Sequence, residues 1–352
     1  MNSDNTINFP LEALSSIDRT NNYFTVKRIS TTNQVQKNEP YKKNFPEFVK
    51  PMLCKIKEDI FDHPDWIFEK KYDGFRAIAC IKNGIAKIFS RNKLPFDSKY
   101  PEIKDDLEKL SVDMILDGEI AAEDKYGVSK FQLLQNAESK KISISYYVFD
   151  ILYLNGYNLM SLPLIYRKDI LKSIFLHQNL KKVKLCPFTR GNGQKFFDES
   201  KKNGEEGIIA KDALSYYEPG QRLKHWYKIK NLAEQETVIV GYTHPKGERM
   251  FFGSIVLAVK EKKKWIYVGH CGTGFSQVML ENLYNQFIKI KAEGSPFHIP
   301  LKLDSKIQWI KPKLVCQIKF KEWTKDGLMR QPVFLGLRMD KKAAEVVQEK
   351  NA

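Results

Sequence analysis

Residues Glu69 to Arg76 read EKKYDGFR, a stretch that sets two lysines, an Asp-Gly corner and an arginine within eight positions. A lysine serves as a covalent nucleophile only when a fraction of it is deprotonated, and nearby positive charge with partial desolvation lowers its pKa in that direction. Lys70 and Arg76 are the residues expected to supply that field around Lys71. If the target is a nucleoside triphosphate, Arg76 gains a second use in bidentate contact with phosphate or ribose, and Asp73 orients the lysine or a metal-bound water. Gly74 lets the backbone approach a ligand. The other reading of the same residues is an exposed strand end with a solvated turn, so the flanking chain has to decide.

Immediately downstream, AIACIKNGIAKIFSR reads as a hairpin, because Asn83-Gly84 supplies the positive φ values of a tight I′ turn. YPEIKDDLEKL then sets Ile103, Leu107 and Leu110 at helical spacing behind a proline suited to a first turn. DMILDGEIAA and SYYVFDILYLNG read as buried strands, the second closed by another Asn-Gly turn, and LIYRKDILKSIF as an amphipathic helix. This zone is α+β with mainly antiparallel pairing. Beyond WYKIKNLAEQE the pattern becomes mostly strands, and in VCQIKFKEW the residues Cys316, Ile318 and Phe320 alternate with polar neighbours at the period of a half-solvated strand. A small β-barrel of about 110 residues is expected there, with a boundary near residue 232. Residues 1–45, rich in Asn, Thr and Ser, read as a flexible lead-in, and 346–352 as a tail.

Whole-chain properties agree with a polyanion partner. The 352 residues carry 58 Lys and Arg against 42 Asp and Glu, a formal net charge of +16, which favours nucleic acid. No apolar run approaches the roughly 18 residues of a membrane span, so no membrane partner is expected, and a cytoplasmic location follows. The five cysteines stand singly without CxxC spacing, which argues against a zinc site or a disulfide framework. KEKKK, Lys260 to Lys264, reads as a solvated hairpin tip, with contact to a DNA backbone as the other reading.

Further chemistry appears in order along the chain. MILDGEIAA carries Asp117 and Glu119, and acids in an apolar strand need a cation, a ribose hydroxyl or an arginine, or else mark an Asp-Gly turn. Phe149 in YYVFDILYLNG is either a base-stacking ring or core. GEEGIIAK places Glu206 and Lys211 on one short strand, an acid for metal and a base for phosphate, and HWYKIK puts Lys228 and Lys230 on one face.

KYDGFR, SRN at Ser90 to Asn92, LDGE, VFDIL, EEGIIAK and WYKIK together resemble the successive motifs of covalent nucleotidyltransferases, the superfamily of ATP-dependent DNA ligases and mRNA-capping enzymes. FKEWTKDGLMRQPVFLGLRMDK and VIVGYTHPKGERMFFGSIVLAV are similar to the ligase domain of bacterial end-joining DNA ligases, a likeness running from about residue 46 to 342. The resemblance implies an adenylation domain over 46–232 followed by an OB-fold domain over 233–345. It implies that Lys71 is the adenylylated nucleophile, that Glu69 reads the adenine amino group, and that Arg76 and Arg91 hold ribose or phosphate. Glu119 would meet the ribose and metal, Phe149 would stack on adenine, Glu206 would bind a divalent cation, and Lys228 and Lys230 would grip the α-phosphate. Arg338, Asp340 and Lys341 of GLRMDK would orient the pyrophosphate leaving group, after which the second domain would swing away about a hinge at Asn231 to Glu234.

ATP with Mg²⁺ or Mn²⁺ is therefore the expected cofactor set, and nicked double-stranded DNA the expected partner of a monomeric enzyme. The end-joining likeness also points to a Ku-type end-binding protein. No polymerase or phosphoesterase domain fits in this length, so the pathway stays open. Two other classes use parts of the same evidence: an RNA ligase or capping-type guanylyltransferase with the same lysine chemistry, and a non-catalytic basic nucleic-acid-binding protein. Labelled ATP against labelled GTP separates the first pair, and the chemically competent residue at every motif position argues against the last.

Overall fold

The computed structural model describes residues 6–8, 25–27, 40–135, 137, 142–176, 178–231, 233–245, 249–298 and 306–349. The chain divides into two compact units, Met1–Ile229 and Lys230–Ala352. Leu232, inside the expected hinge, and most of residues 1–39 lie outside the described residues.

The first unit begins with short strands Thr6–Asn8 (β1), Thr25–Lys27 (β2) and Tyr41–Lys42 (β3). Leu53–Ile56 (β4), His63–Lys70 (β5), Phe75–Lys82 (β6) and Ile85–Ser90 (β7) follow. Helix Pro101–Glu108 (α1), Met114–Ala122 (β8), helix Phe131–Gln135 (α2), Ile144–Leu154 (β9) and Tyr157–Asn158 (β10) come next. The unit closes with helix Leu164–Phe175 (α3), Val183–Leu185 (β11), Phe188–Gly191 (β12), helix Gly193–Lys202 (α4), Gly207–Asp212 (β13) and Arg222–Lys230 (β14).

These strands build a seven-stranded sheet, β3-β10-β9-β8-β6-β7 with β11 on β9, and a five-stranded sheet, β12-β5-β13-β14-β4. Pairing is mainly antiparallel, with β11–β9 and β14–β4 the parallel ladders. The Asn-Gly signals act as read: Asn83 and Gly84 have φ of 52° and 75°, Asn155 and Gly156 of 42° and 90°, and each pair links adjacent strands. β3 pairs with β10, so the sheet starts inside the segment read as lead-in.

Strand alternation gives the seven-stranded sheet two apolar faces. Phe75, Ala77, Leu116 and Val148 face α1, where Ile103 and Leu107 are buried as their spacing requires. Ile78, Ile115 and Leu152 face the other way, joining Ile67, Trp226 and Tyr217 in a second core between the two sheets. Asp117-Gly118 is not a turn: it lies mid-strand in β8, and Gly118 is there because a Cβ would come within 2.5 Å of the Tyr146 ring.

The second unit holds Ala233–Thr243 (β15), Ile255–Glu261 (β16), Lys264–Cys271 (β17), helix Gln277–Phe287 (α5), Ile307–Phe320 (β18) and Val333–Leu337 (β19). Its sheet runs β17-β16-β15-β18-β19. The expected barrel does not close: among the described residues the single bridge Thr273–Val333 and the bond from Phe334 N to Thr273 O bring the two edges together without a ladder. One interruption lies in β18, where the ladder to β15 skips from Trp309 to Leu314 around Pro312, which has no N–H to give. Lys262 and Lys263 form the exposed tip between β16 and β17, the solvated hairpin expected of KEKKK. The cysteines are free thiols, and all but Cys54 are buried. Among the described residues no helix is long and apolar enough to cross a membrane.

Candidate active site

Residues 71–74 connect β5 in one sheet to β6 in the other, and each of them is fixed differently. Lys71 N donates to Gly207 O at 3.0 Å, and its ammonium is ion-paired with Glu206. Tyr72 stacks on Tyr147 with ring centres 3.9 Å apart. Asp73 accepts from Phe131 N at 2.8 Å, capping the first turn of α2, while its own N donates to Ser129 Oγ. Gly74 makes a close approach, but to the protein: a Cβ there would sit 2.1 Å from Ile120 O on β8.

The expected positive field around Lys71 is not what these residues provide. Lys70 turns to Glu205 at 3.2 Å and Glu123 at 3.6 Å and donates to Gly127 O. Arg76 gives Nε and Nη2 to the two oxygens of Asp117 at 2.6 and 2.7 Å. Both cations are neutralised by carboxylates that sequence spacing does not reveal. Burial pushes the Arg76 pKa down, yet Asp117 outweighs it and holds the guanidinium above its ordinary value.

Between the sheets the inner faces meet. Arg76 on β6, Asp117 and Glu119 on β8 and Phe149 on β9 share the inner face of the seven-stranded sheet. Phe149 owes its aim to a bulge, since Asp117 pairs with Asp150 and Gly118 with Val148, leaving Phe149 as the extra residue. Its ring lies 4.4 Å from the Arg76 guanidinium and 4.1 Å from Lys211 Nζ, which is also 4.2 Å from Trp226. Lys211 is thus sealed at 2% exposure and ion-paired with Glu69 Oε2 at 2.6 Å. Burial pushes its pKa below that of an ordinary lysine, with Glu69 opposing. The other Glu69 oxygen meets Lys168 from α3.

The remaining expected residues are divided between the two units. By alternation Lys228 shares the inward face of Trp226 on β14, and Arg91 follows the end of β7. Lys230 belongs to the second unit, where Nζ contacts Glu349 at 2.9 Å and Glu234 O at 2.8 Å. Also in that unit, Arg338 forms a two-toothed pair with Asp340 at 2.9 and 2.9 Å, and Lys341 reaches Glu236 at 2.6 Å. Burial would raise the Glu236 pKa, but Lys341 and Arg338 bring it down to about 2.

Asp73 and Glu206 offer carboxylate oxygens within 4.8 Å of each other, a spacing open to two oxygen ligands of one hard cation. Glu119 does not join this pair at that spacing.

Sequence reasoning missed Lys168, Trp226 and Glu236, and the pairing of Arg167 with Asp150. The helix holding Arg167 and Lys168 was read as amphipathic, which would leave both in solvent, whereas both are at most 5% exposed. A signal did exist: Arg167 stands in the first turn, at the helix end that disfavours positive charge, and so needs a carboxylate partner.

Residues 51–230 match the family model for the ATP dependent DNA ligase domain, and residues 248–341 that for the ATP dependent DNA ligase C terminal region. The chain belongs to the ATP-dependent DNA ligase family. It is 35% identical over 288 residues to the multifunctional non-homologous end joining DNA repair protein LigD of Mycobacterium tuberculosis, covering 81% of this chain and 37% of that protein. It is 31% identical over 299 residues to the SPbeta prophage-derived DNA ligase-like protein LigB of Bacillus subtilis, covering 83% of this chain and all of that protein (100%). A solved structure of mycobacterial DNA ligase D complexed with ATP and MES superposes with a TM-score of 0.64 at 31% identity, covering 86% of this chain and 98% of that one. The chain thus spans well under half the length of the LigD proteins it matches. The likeness supports a nucleotidyltransferase unit followed by an OB-fold unit, here with its sheet open.

Proposed function

We propose that the protein is an ATP-dependent DNA ligase that seals nicks bearing a 5′-phosphate and a 3′-hydroxyl, by way of a lysyl-AMP intermediate. One observation carries this reading: Lys71, two residues beyond Glu69 and with its side chain 19% exposed, is ion-paired with Glu206, while Glu69 pairs with Lys211, whose ammonium lies over the Phe149 and Trp226 rings. An amine that reaches solvent two residues from this aromatic and cationic cluster is placed to attack a nucleotide whose base takes the place of those cations on the Phe149 ring.

In the first step Lys71, its ammonium proton released to solvent, forms a bond from nitrogen to the α-phosphorus of ATP and the bond to the bridging oxygen breaks, releasing pyrophosphate. Glu69 meets the base, Phe149 stacks on it, and Arg76, Arg91 and Glu119 reach ribose or phosphate. Lys211 belongs with Glu69 on the base side. Lys228 and Lys230 neutralise the α-phosphate, while Arg338, Asp340 and Lys341 act on the departing pyrophosphate in this step alone. AMP then passes to the 5′-phosphate of the nick, which gives the 5′ oxygen a good leaving group. The 3′-hydroxyl displaces AMP and the strand is joined.

Asp73 and Glu206 fit a Mg²⁺ ion by donor type and spacing, and Mn²⁺ accepts the same set. Such an ion supplies neutralisation of phosphate charge. The working form is a cytoplasmic monomer acting on nicked duplex, and a Ku-type partner belongs to the end-joining version of this role.

Incubation with α-labelled ATP or GTP and Mg²⁺, followed by a nicked duplex with DNA or RNA strands, tests the reading. Label is expected on the protein from ATP only, absent in Lys71→Ala, and sealing is expected on DNA. Preferential labelling by GTP would replace the ligase with a guanylyltransferase, and sealing confined to RNA would make it an RNA ligase.

A further inference from the structure

We infer that Lys168 is a positioning residue that sets the nucleotide preference of the proposed first step, by fixing the Glu69 carboxylate in the plane in which it accepts from a purine amino group. The inference rests on the reading that Glu69 meets the base.

Glu69 is 1% exposed and lies between two lysines that are themselves almost fully buried, Lys168 at 5% and Lys211 at 2%. Lys168 donates to Oε1 and Lys211 faces Oε2 as an ion pair, so the carboxylate is held at both ends and has lone pairs left for a ligand. The terminal torsion of a glutamate is broad and has no staggered wells, so the side chain does not orient its own carboxylate. With Lys211 alone, the carboxylate is free to turn both oxygens toward that cation. Lys168 prevents this turn.

Its position is set by the anchoring of α3 and by the ring of Phe188. Lys168 is the fifth residue of α3 and follows Arg167, whose Nε and Nη2 meet both Asp150 oxygens at 2.8 and 2.9 Å and whose Nη1 reaches Ser215 O at 3.2 Å. Asp150 follows the bulged Phe149, so one contact anchors the helix to the segment that aims the stacking ring. Lys168 Nζ also lies 5.3 Å from the ring of Phe188, the residue that pairs with Glu69 across β12 and β5. A carboxylate held this way favours a base that presents N–H and opposes one that presents a carbonyl oxygen at the same place.

The test measures initial rates of lysine labelling with ATP and with purine riboside triphosphate, which lacks the amino group. The wild type is expected to prefer ATP by at least about tenfold. Lys168→Met is expected to bring the two nucleotides within about threefold, mainly through a higher KM for ATP, while labelling by the analogue changes little. Lys168→Arg should keep the preference. Lys168→Gln, which retains a donor without the charge, takes the place of the methionine variant if thermal melting shows that variant unfolded, and is expected to keep less than a third of the preference. Equal losses with both nucleotides would make Lys168 merely structural, and an unchanged preference would overturn the inference. A wild type that labels but does not discriminate removes Glu69 from the base, whereas one that takes no label from any nucleotide removes the ligase reading itself.

Discussion

The Arg76 guanidinium lies 4.4 Å from the centre of the Phe149 ring, and both Asp117 oxygens hold it there. The arginine expected to grip ribose or phosphate and the ring expected to stack on the base are therefore engaged with each other. Asp117 is the hub of this arrangement, since it also accepts from the Tyr217 hydroxyl at 2.6 Å and is itself 0% exposed.

Replacing Asp117 with Asn removes the counter-charge and leaves a guanidinium buried among aromatic rings. The expected cost is about 3 kcal/mol of unfolding free energy, read from urea denaturation of the whole chain. A loss below about 1 kcal/mol would show that other groups neutralise Arg76.

Two glycines separate space from backbone strain. Gly74→Ala puts a methyl 2.1 Å from a backbone carbonyl and should abolish soluble folded protein or cost several kcal/mol. Gly84→Ala, at φ of +75° with nothing within 4 Å, should cost only about 1 kcal/mol. Equal effects would mean that the β6–β8 approach can relax.

Alanine at Arg338, Asp340 and Lys341 together should slow lysine labelling by ATP at least about a hundredfold. Sealing of a nick that already carries 5′-AMP should fall far less. Matching losses in the two assays would refute a role confined to the first step.

Glu236 gives a pH signature. Its carboxyl titrates near 4.5 when unfolded and is brought down to about 2 in the folded unit, so its stabilisation is complete above 4.5 and is lost as pH falls through about 2. Glu236→Gln should cost about 2 kcal/mol at neutral pH and show a flatter stability profile than the wild type between pH 4.5 and 2. Parallel profiles would assign the acid sensitivity to other carboxylates.

If the +16 charge serves a DNA clamp, affinity for nicked duplex should fall steeply with salt and ignore base sequence. Replacing Lys262, Lys263 and Lys264 with alanine should lower the slope of log affinity against log salt by up to about 3 if the hairpin touches phosphates. An unchanged slope leaves that tip in solvent, and a flat wild-type slope would count against a DNA substrate.

Periodicity and turn chemistry made most of the first unit legible. Asn83-Gly84 and Asn155-Gly156 fix hairpin registers locally, and Ile103 and Leu107 mark the one face α1 has to bury. Partner choice was not legible, because it is settled across sheets. β6–β8 register sets Arg76 opposite Glu119, yet the guanidinium reaches diagonally to Asp117, and nothing local distinguishes the two acids. The burial of Lys168 was not legible because a 3.6-residue period identifies the apolar face and cannot say which polar residues a second sheet will cover. In the second unit the alternating pattern located the strands, but whether the sheet closed depended on edges far apart in the sequence.

The four-residue connection between β5 and β6 also limits how the first unit can breathe. Four residues reach at most roughly 14 Å, and Tyr72, Asp73 and Gly74 are committed to Tyr147, α2 and β8 respectively. The two sheets are tethered beside Lys71 and cannot part there like jaws. Room for a base has to come from rotation of individual side chains, with Arg76 and Lys211 leaving the Phe149 ring, so the speed of nucleotide capture should follow how readily those two cations exchange partners.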